Sequence, residues 1–182
     1  MKGVYEKMNE SKLIYYSCGQ TDLQPILSFG PTPLADLLLT EEQLKQPDLT
    51  FPLDLVFCLN CTLVKITETV CPEILYGGDY PYFFSVSNTL LQHFRESAKK
   101  LISSRKLKSN TLVVEAASND GYMLRNFVES GIPVLGIDPA KGPAKAAEKA
   151  GIPTLCTFFT KDLAKQLREE GRGADIFLAN NV

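Results

Sequence analysis

Thr111-Leu112-Val113-Val114-Glu115-Ala116-Ala117-Ser118-Asn119-Asp120-Gly121 is the stretch that decides the fold. Its first six residues form a near-continuous apolar run, suited to a strand in the buried middle of a parallel sheet. From there the chain alternates. A helix is expected over residues 121–130, a strand over 134–138, a helix over 141–150 and a short strand over 154–156. A helix over 161–170 and a strand over 175–179 follow. Strands alternating with helices imply right-handed crossovers and a doubly wound sheet. Ligands of such sheets bind beyond the carboxyl ends of the strands.

Those strand ends carry the informative residues. The first is followed by the acidic, glycine-bearing loop Glu115-Ala116-Ala117-Ser118-Asn119-Asp120-Gly121, and the second ends in Asp138, 17 residues past that glycine. An acid there is placed to accept hydrogen bonds from ribose hydroxyls. Gly-x-Gly-x-x-Gly, which lets a backbone approach a pyrophosphate, is absent. A nucleoside ligand without pyrophosphate fits better, and S-adenosylmethionine (SAM) is the common one. The competing reading of Asp138 is a simple turn acid before Pro139.

Upstream, Tyr76-Gly77-Gly78-Asp79-Tyr80-Pro81-Tyr82-Phe83-Phe84-Ser85-Val86-Ser87 reads as a loop, because Pro81 and the glycine pair interrupt any strand. Its tyrosines and serines suit a hydroxylated ligand or a proton relay. An apolar plug between domains is the plainer alternative. Residues 88–106 turn helical, with Leu90, Leu91, Phe94, Ala98, Leu101 and Ile102 on one face. His93, on the same helix, is read as structural.

The first third is organised by cysteines. Five in all, at 18, 58, 61, 71 and 156, make an odd count that argues for reduced thiols rather than a disulfide framework. Cys58-Leu59-Asn60-Cys61 has the spacing of a metal knuckle, and Ser17-Cys18-Gly19 resembles the second half of another. Tyr15 stands where that second knuckle needs its first cysteine. Two readings stay open: a zinc site on Cys18, Cys58 and Cys61, or a ribbon that keeps them as small buried residues. A helix is expected over residues 40–46, and a hairpin of residues 51–57 and 63–66 completes a small module.

With 182 residues, 45% hydrophobic and 22% charged, the chain has room for a small module and a larger domain. No apolar run approaches the roughly 20 residues of a spanning helix. The first residues lack the apolar core of a secretion signal. A formal charge of −2 argues against broad nucleic-acid affinity. A cytoplasmic protein is expected.

At this point the residues resemble a family. Residues 113–124, 131–140, 151–154 with Phe158-Phe159, and the ending Ala179-Asn180-Asn181-Val182 are similar to the SAM-dependent sugar C-methyltransferases, which act on nucleotide-linked deoxyhexoses. The cysteine module and the Tyr80-Pro81-Tyr82 loop resemble the zinc-binding domain of that family. The resemblance implies an α/β architecture in three parts. A zinc-ribbon-like β module spans residues 12–75, a linker loop and helix 76–108, and the N-terminal half of a Rossmann-like class I methyltransferase domain 109–182, its parallel sheet incomplete.

It implies roles as well. Glu115, Ser118, Asn119, Asp120 and Gly121 would face SAM, Asp138 its ribose and Phe159 its adenine, while Asn180 would close the pocket floor. Tyr80 and Tyr82 would be the catalytic loop tyrosines, and Cys18, Cys58 and Cys61 the zinc ligands. In such enzymes a base removes a proton alpha to a keto group, and the resulting carbanion takes the methyl group. The family continues past Asn-Asn-Val into a histidine base, three further strands and a sugar-holding domain. The expectation is therefore an inactive N-terminal fragment, completed by further sequence or by a second chain. The partner expected is a small nucleotide-sugar substrate, with neither nucleic acid nor membrane. A non-catalytic nucleoside-binding fragment and a zinc-ribbon interaction module are the alternatives.

Overall fold

The computed structural model describes residues 17–77 and 80–180. Tyr15, Asn181 and Val182, singled out above, lie outside them. The chain divides into two compact units, Met1–Cys71 and Pro72–Val182. The second unit thus includes the aromatic loop and the helix after it, which the sequence reading set apart as a linker.

The first unit is an antiparallel sheet of order β1-β2-β3, with β1 at Leu23–Pro33, β2 at Thr50–Cys58 and β3 at Val64–Ile66. The β2–β3 hairpin matches the alternation of the sequence. Strand β1 does not announce itself, because it contains Pro25, Pro31 and Pro33 and Gly30 at φ 68°. Proline cannot donate to a ladder, so it belongs on an edge strand or at a bulge. β1 is an edge, and its register with β2 shifts twice, between Pro25 and Leu27 and between Ser28 and Pro31. Residues 40–46 yield only a 3-10 turn at Gln43–Lys45. Val56 and Cys58 are the buried apolar residues of this sheet.

In the second unit the helices come first. A short helix α1 (Pro72–Tyr76) and a 3-10 turn at Phe84–Val86 lead into α2 (Asn88–Arg105). Ser87 caps α2, its Oγ accepting from Leu90 N at 3.3 Å. The parallel sheet then forms as β4 (Val113–Ala116), β5 (Val134–Ile137), β6 (Thr154–Leu155) and β7 (Ile176–Ala179), in the order β6-β5-β4-β7. Its crossovers contain α3 (Arg125–Val128), α4 (Lys141–Lys149) and α5 (Lys161–Glu169). The order reverses between β4 and β7, and such a reversal opens a crevice at the carboxyl edge.

All three helices end alike. Gly131, Gly151 and Gly171 take positive φ, and the next amide bonds back to the carbonyl five residues earlier: Ile132 to Phe127, Ile152 to Ala147 and Arg172 to Leu167. The helix expected over 121–130 shrinks to α3. The turn leading into it is of 3-10 type, with Asn126 N donating to Met123 O at 3.2 Å, and Asn126 Nδ2 adds bonds to Met123 O at 2.9 Å and Tyr122 O at 3.3 Å. The core lies between α2, α3 and one face of the sheet. Phe94 and Ala98 of α2 meet Val113, Tyr122, Leu124, Phe127 and Ile152, the last five fully buried. Each large side chain buried there contributes roughly 2–3 kcal/mol.

Candidate cofactor site and cysteine cluster

The loop leaving β4 has an unusual backbone. Ala117, Asn119 and Gly121 take positive φ of 52°, 49° and 75°, at every second position. That is the conformational pattern of a Gly-x-Gly-x-Gly loop, with alanine and asparagine in two of the glycine places. Asparagine visits this region readily, whereas alanine there costs roughly 1–2 kcal/mol. Counting glycines therefore understated the resemblance of this loop to a nucleotide loop. Gly121 has a packing reason too, since a Cβ on it would meet the buried Ile152 Cδ1 at 2.3 Å.

Asp138 holds the loop from the next strand. Its Oδ2 accepts from Asn119 N and its Oδ1 from Ala140 N, both at 2.8 Å. Burial nonetheless raises its carboxyl above the ordinary range, outweighing both amides. Glu115 is fully buried at the β4 side of the crevice. Asn180, just past β7, donates its Nδ2 to Glu115 Oε1 at 2.8 Å, so the two strands flanking the reversal are tied at their carboxyl ends. Burial raises Glu115 to about 8; the Asn180 hydrogen bond opposes the rise and the Asp138 charge adds to it. Burial also raises the Tyr122 phenol, with the Glu115 charge adding. Near the crevice, Glu115 Oε2, Ser118 Oγ, Asp120 Oδ1 and Tyr122 OH are among the buried polar atoms that meet no hydrogen-bond partner among the described residues. Burying such atoms unpaired costs about 1–3 kcal/mol each. A polar ligand against this loop would give them a use.

The structure thus brings Glu115, Ser118, Asn119, Asp120, Gly121, Asp138 and Asn180 to the carboxyl edge around β4. Ser118 sits beneath the loop, because β5 offers Gly136; a Cβ there would lie 2.6 Å from Ser118 Oγ. Phe159 stands apart from this group. Its ring packs on Phe177 of β7, centroids 4.8 Å apart, and it is 42% exposed. Tyr82 meets Phe84 edge-on at 5.0 Å and Tyr80 meets Tyr76 at 5.5 Å. Sequence reasoning missed Tyr122, fully buried between Phe84 and Phe94 at 4.7 and 4.6 Å. Its position one residue after Gly121 was the available signal.

In the first unit, the metal-ligating atoms of Cys18, Cys58 and Cys61 all lie within 4.8 Å of one another, with Cys18 Sγ 3.6 Å from Cys58 Sγ. Thiolates on a tetrahedral zinc at 2.3 Å stand roughly 3.8 Å apart, so the cluster fits that ion. The turn is built locally. Thr62 N donates to Cys58 O and Leu59 N to Asp22 O, which draws the Cys18 turn onto the Cys58–Cys61 knuckle. The Cys61 N–H holds the Cys58 thiol below its ordinary range. For Cys61, the Leu63 N–H acts downward, but burial and the Cys58 and Cys18 sulfurs outweigh it and the thiol rises. None of the five cysteines is joined in a disulfide, and Cys71 and Cys156 are exposed.

The fold and these sites define an α/β protein that pairs a cysteine-bearing antiparallel sheet with a partial Rossmann-like sheet. Residues 16–76 match the family described as "Putative zinc binding domain". The chain is also 35% identical over 150 residues to the C-methyltransferase NovU of Streptomyces niveus, a match covering 82% of this chain and 36% of that protein. The chain thus spans little more than a third of the length of this relative. The two matches support a C-methyltransferase family. No helix among the described residues is long and apolar enough to cross a membrane.

Proposed function

We propose that this chain is the cofactor-loop part of a SAM-dependent C-methyltransferase acting on a nucleotide-linked keto-deoxysugar. One observation carries the reading: the β4 loop takes positive φ at positions 117, 119 and 121 and is held by an acid at the end of the second parallel strand. The unpartnered carboxylate oxygens of Glu115 and Asp120 fit a ligand bearing charged and hydroxyl groups. SAM, when bound, supplies an electrophilic methyl group.

The chain's own residues would do the rest. Asp138 accepts from ribose hydroxyls through the lone pairs its two amide contacts leave free, and Glu115 with Asn180 forms the floor. Tyr80 and Tyr82 present phenols for orienting a sugar and relaying its proton. Phe159 takes the adenine side. Cys18, Cys58 and Cys61 hold zinc as a structural staple of the first unit, which suits a reducing cytoplasm. Binding without methyl transfer is expected of these 182 residues alone, since no described residue is placed as the base.

Calorimetric titration with SAM tests the reading. Saturable binding is expected, weakened about 10- to 100-fold in Asp138→Ala, as loss of a charged hydrogen-bonding partner implies. Equal affinity for the two proteins, or no binding to either, would overturn it. Methyl transfer to a nucleotide-linked 4-keto sugar by this chain alone would refute the fragment reading.

A further inference from the structure

Asn119 does more than shape the loop. Residues 80–84 carry four aromatic rings, and their backbone is gripped at Tyr82 and Phe84 by the loop that leaves β4. The Asn119 side chain uses both ends of its amide: Oδ1 accepts from Phe84 N and Nδ2 donates to Tyr82 O, each at 3.1 Å. This two-point pairing reproduces one rung of a strand ladder with a side chain in place of a strand. Beside it, Asp120 Oδ2 accepts from Ser85 N at 3.2 Å. Phe84 then stacks on Tyr122 at 25°, and the start of α4 approaches from the far side, where a Cβ on Gly142 would sit 3.5 Å from Phe83 Cζ. Residues 82–85 therefore form a strap over the carboxyl edge of β4 and β5. The backbone of Asn119 is itself fixed by Asp138. An unbroken chain of contacts runs from the Asp138 carboxylate, through one residue, to the peptide groups that carry Tyr82.

We infer that Asn119 is a positioning residue that clamps the strap to the cofactor loop, so that ligand binding at Asp138 and the pose of Tyr82 are coupled. The clamp stands on the hydrogen bonds alone; the coupling rests on the function proposed above.

Hydrogen exchange followed by mass spectrometry on the 182-residue chain separates the two. Asn119→Gly is the first variant, because glycine accepts φ 49° freely and removes only the amide. Without ligand, peptides covering residues 80–87 are expected to exchange about 10- to 100-fold faster than in the parent, with β4 unchanged. Asn119→Asp keeps the acceptor for Phe84 N and loses the donor to Tyr82 O, so it should fall between parent and glycine variant. If the glycine variant fails to fold cooperatively, faster strap exchange in Asn119→Asp decides the matter. Unchanged strap exchange overturns the clamp, as does acceleration spread evenly over the unit, which marks a merely structural residue. With SAM added, the parent strap should slow and the Asn119→Gly strap should not. SAM bound to the parent with no slowing overturns the coupling. No SAM binding at all removes the proposed function and with it the coupling, while the ligand-free comparison still decides the clamp.

Discussion

Glu115→Gln should abolish a pH dependence of stability that the fold builds into its central strand. Glu115 is fully buried, with Oε1 satisfied by Asn180 and Oε2 by nothing among the described residues. The carboxyl is raised from its ordinary 4.5 to about 8. Between those values the native state keeps a proton that the unfolded chain releases, so stability is full below pH 4.5 and falls as pH rises toward 8. The displacement corresponds to roughly 5 kcal/mol, and allowing for relaxation and water entry about 2–5 kcal/mol should be seen. Asp138, also raised, acts in the same direction and is common to both proteins, so their difference reports Glu115 together with its coupling to Asp138. Glutamine preserves the acceptor for Asn180 and replaces the retained proton with an amide.

Urea unfolding at pH 5, 6, 7 and 8, followed on the transition that melts the parallel sheet, gives the comparison. At 1–3 kcal/mol per molar urea, the parent midpoint should drop by about 1–3 M across this range relative to the variant. Near pH 5 the two should agree within about 1 kcal/mol, and at pH 8 the variant should be the more stable. Parallel profiles from pH 5 to 8 would refute the reasoning, because Glu115 would then ionise as freely in the fold as outside it.

Three further changes have definite outcomes. Tyr122→Phe deletes a buried hydroxyl that makes no hydrogen bond of good geometry among the described residues and has the Asn180 side chain as a polar neighbour, so thermal melting should change by no more than about 1 kcal/mol; a larger loss would mean that Asn180 satisfies the hydroxyl. Gly121→Ala meets both a positive φ and Ile152 Cδ1, and should cost about 2–4 kcal/mol by urea denaturation. A cost below 1 kcal/mol would count against the packing described. Reduced protein should retain about one zinc per chain by elemental analysis, and Cys58→Ser or a strong chelator should remove it and loosen the β1-β2-β3 sheet. Metal-free reduced protein would dispose of the zinc site.

How far the sequence spoke depends on the range of the interaction. The parallel strands were legible because burial on both faces leaves a continuous apolar run, and the helices between them from the strand–helix rhythm, although the first is shorter than that rhythm implies. Contacts between residues near in sequence were legible too, among them the Cys58–Cys61 turn. Strand β1 was not, since three prolines contradict strand propensity and only its edge position and two register shifts reconcile them. The asparagine clamp was hidden for another reason. It joins positions 35 and 37 residues apart through a side chain, and no local pattern records such a pairing. The left-handed series at 117, 119 and 121 lay between these cases: asparagine before Asp-Gly was a readable hint, alanine was not.

Asp138 spends one lone pair of each oxygen on the protein's own amides before any ligand arrives. The loop therefore owes its shape to a carboxylate and not to its guest. A guest can leave and be replaced without the loop collapsing in between, so each round of occupancy starts from the same scaffold. The entropic cost of ordering those residues falls on folding, once, rather than on every encounter.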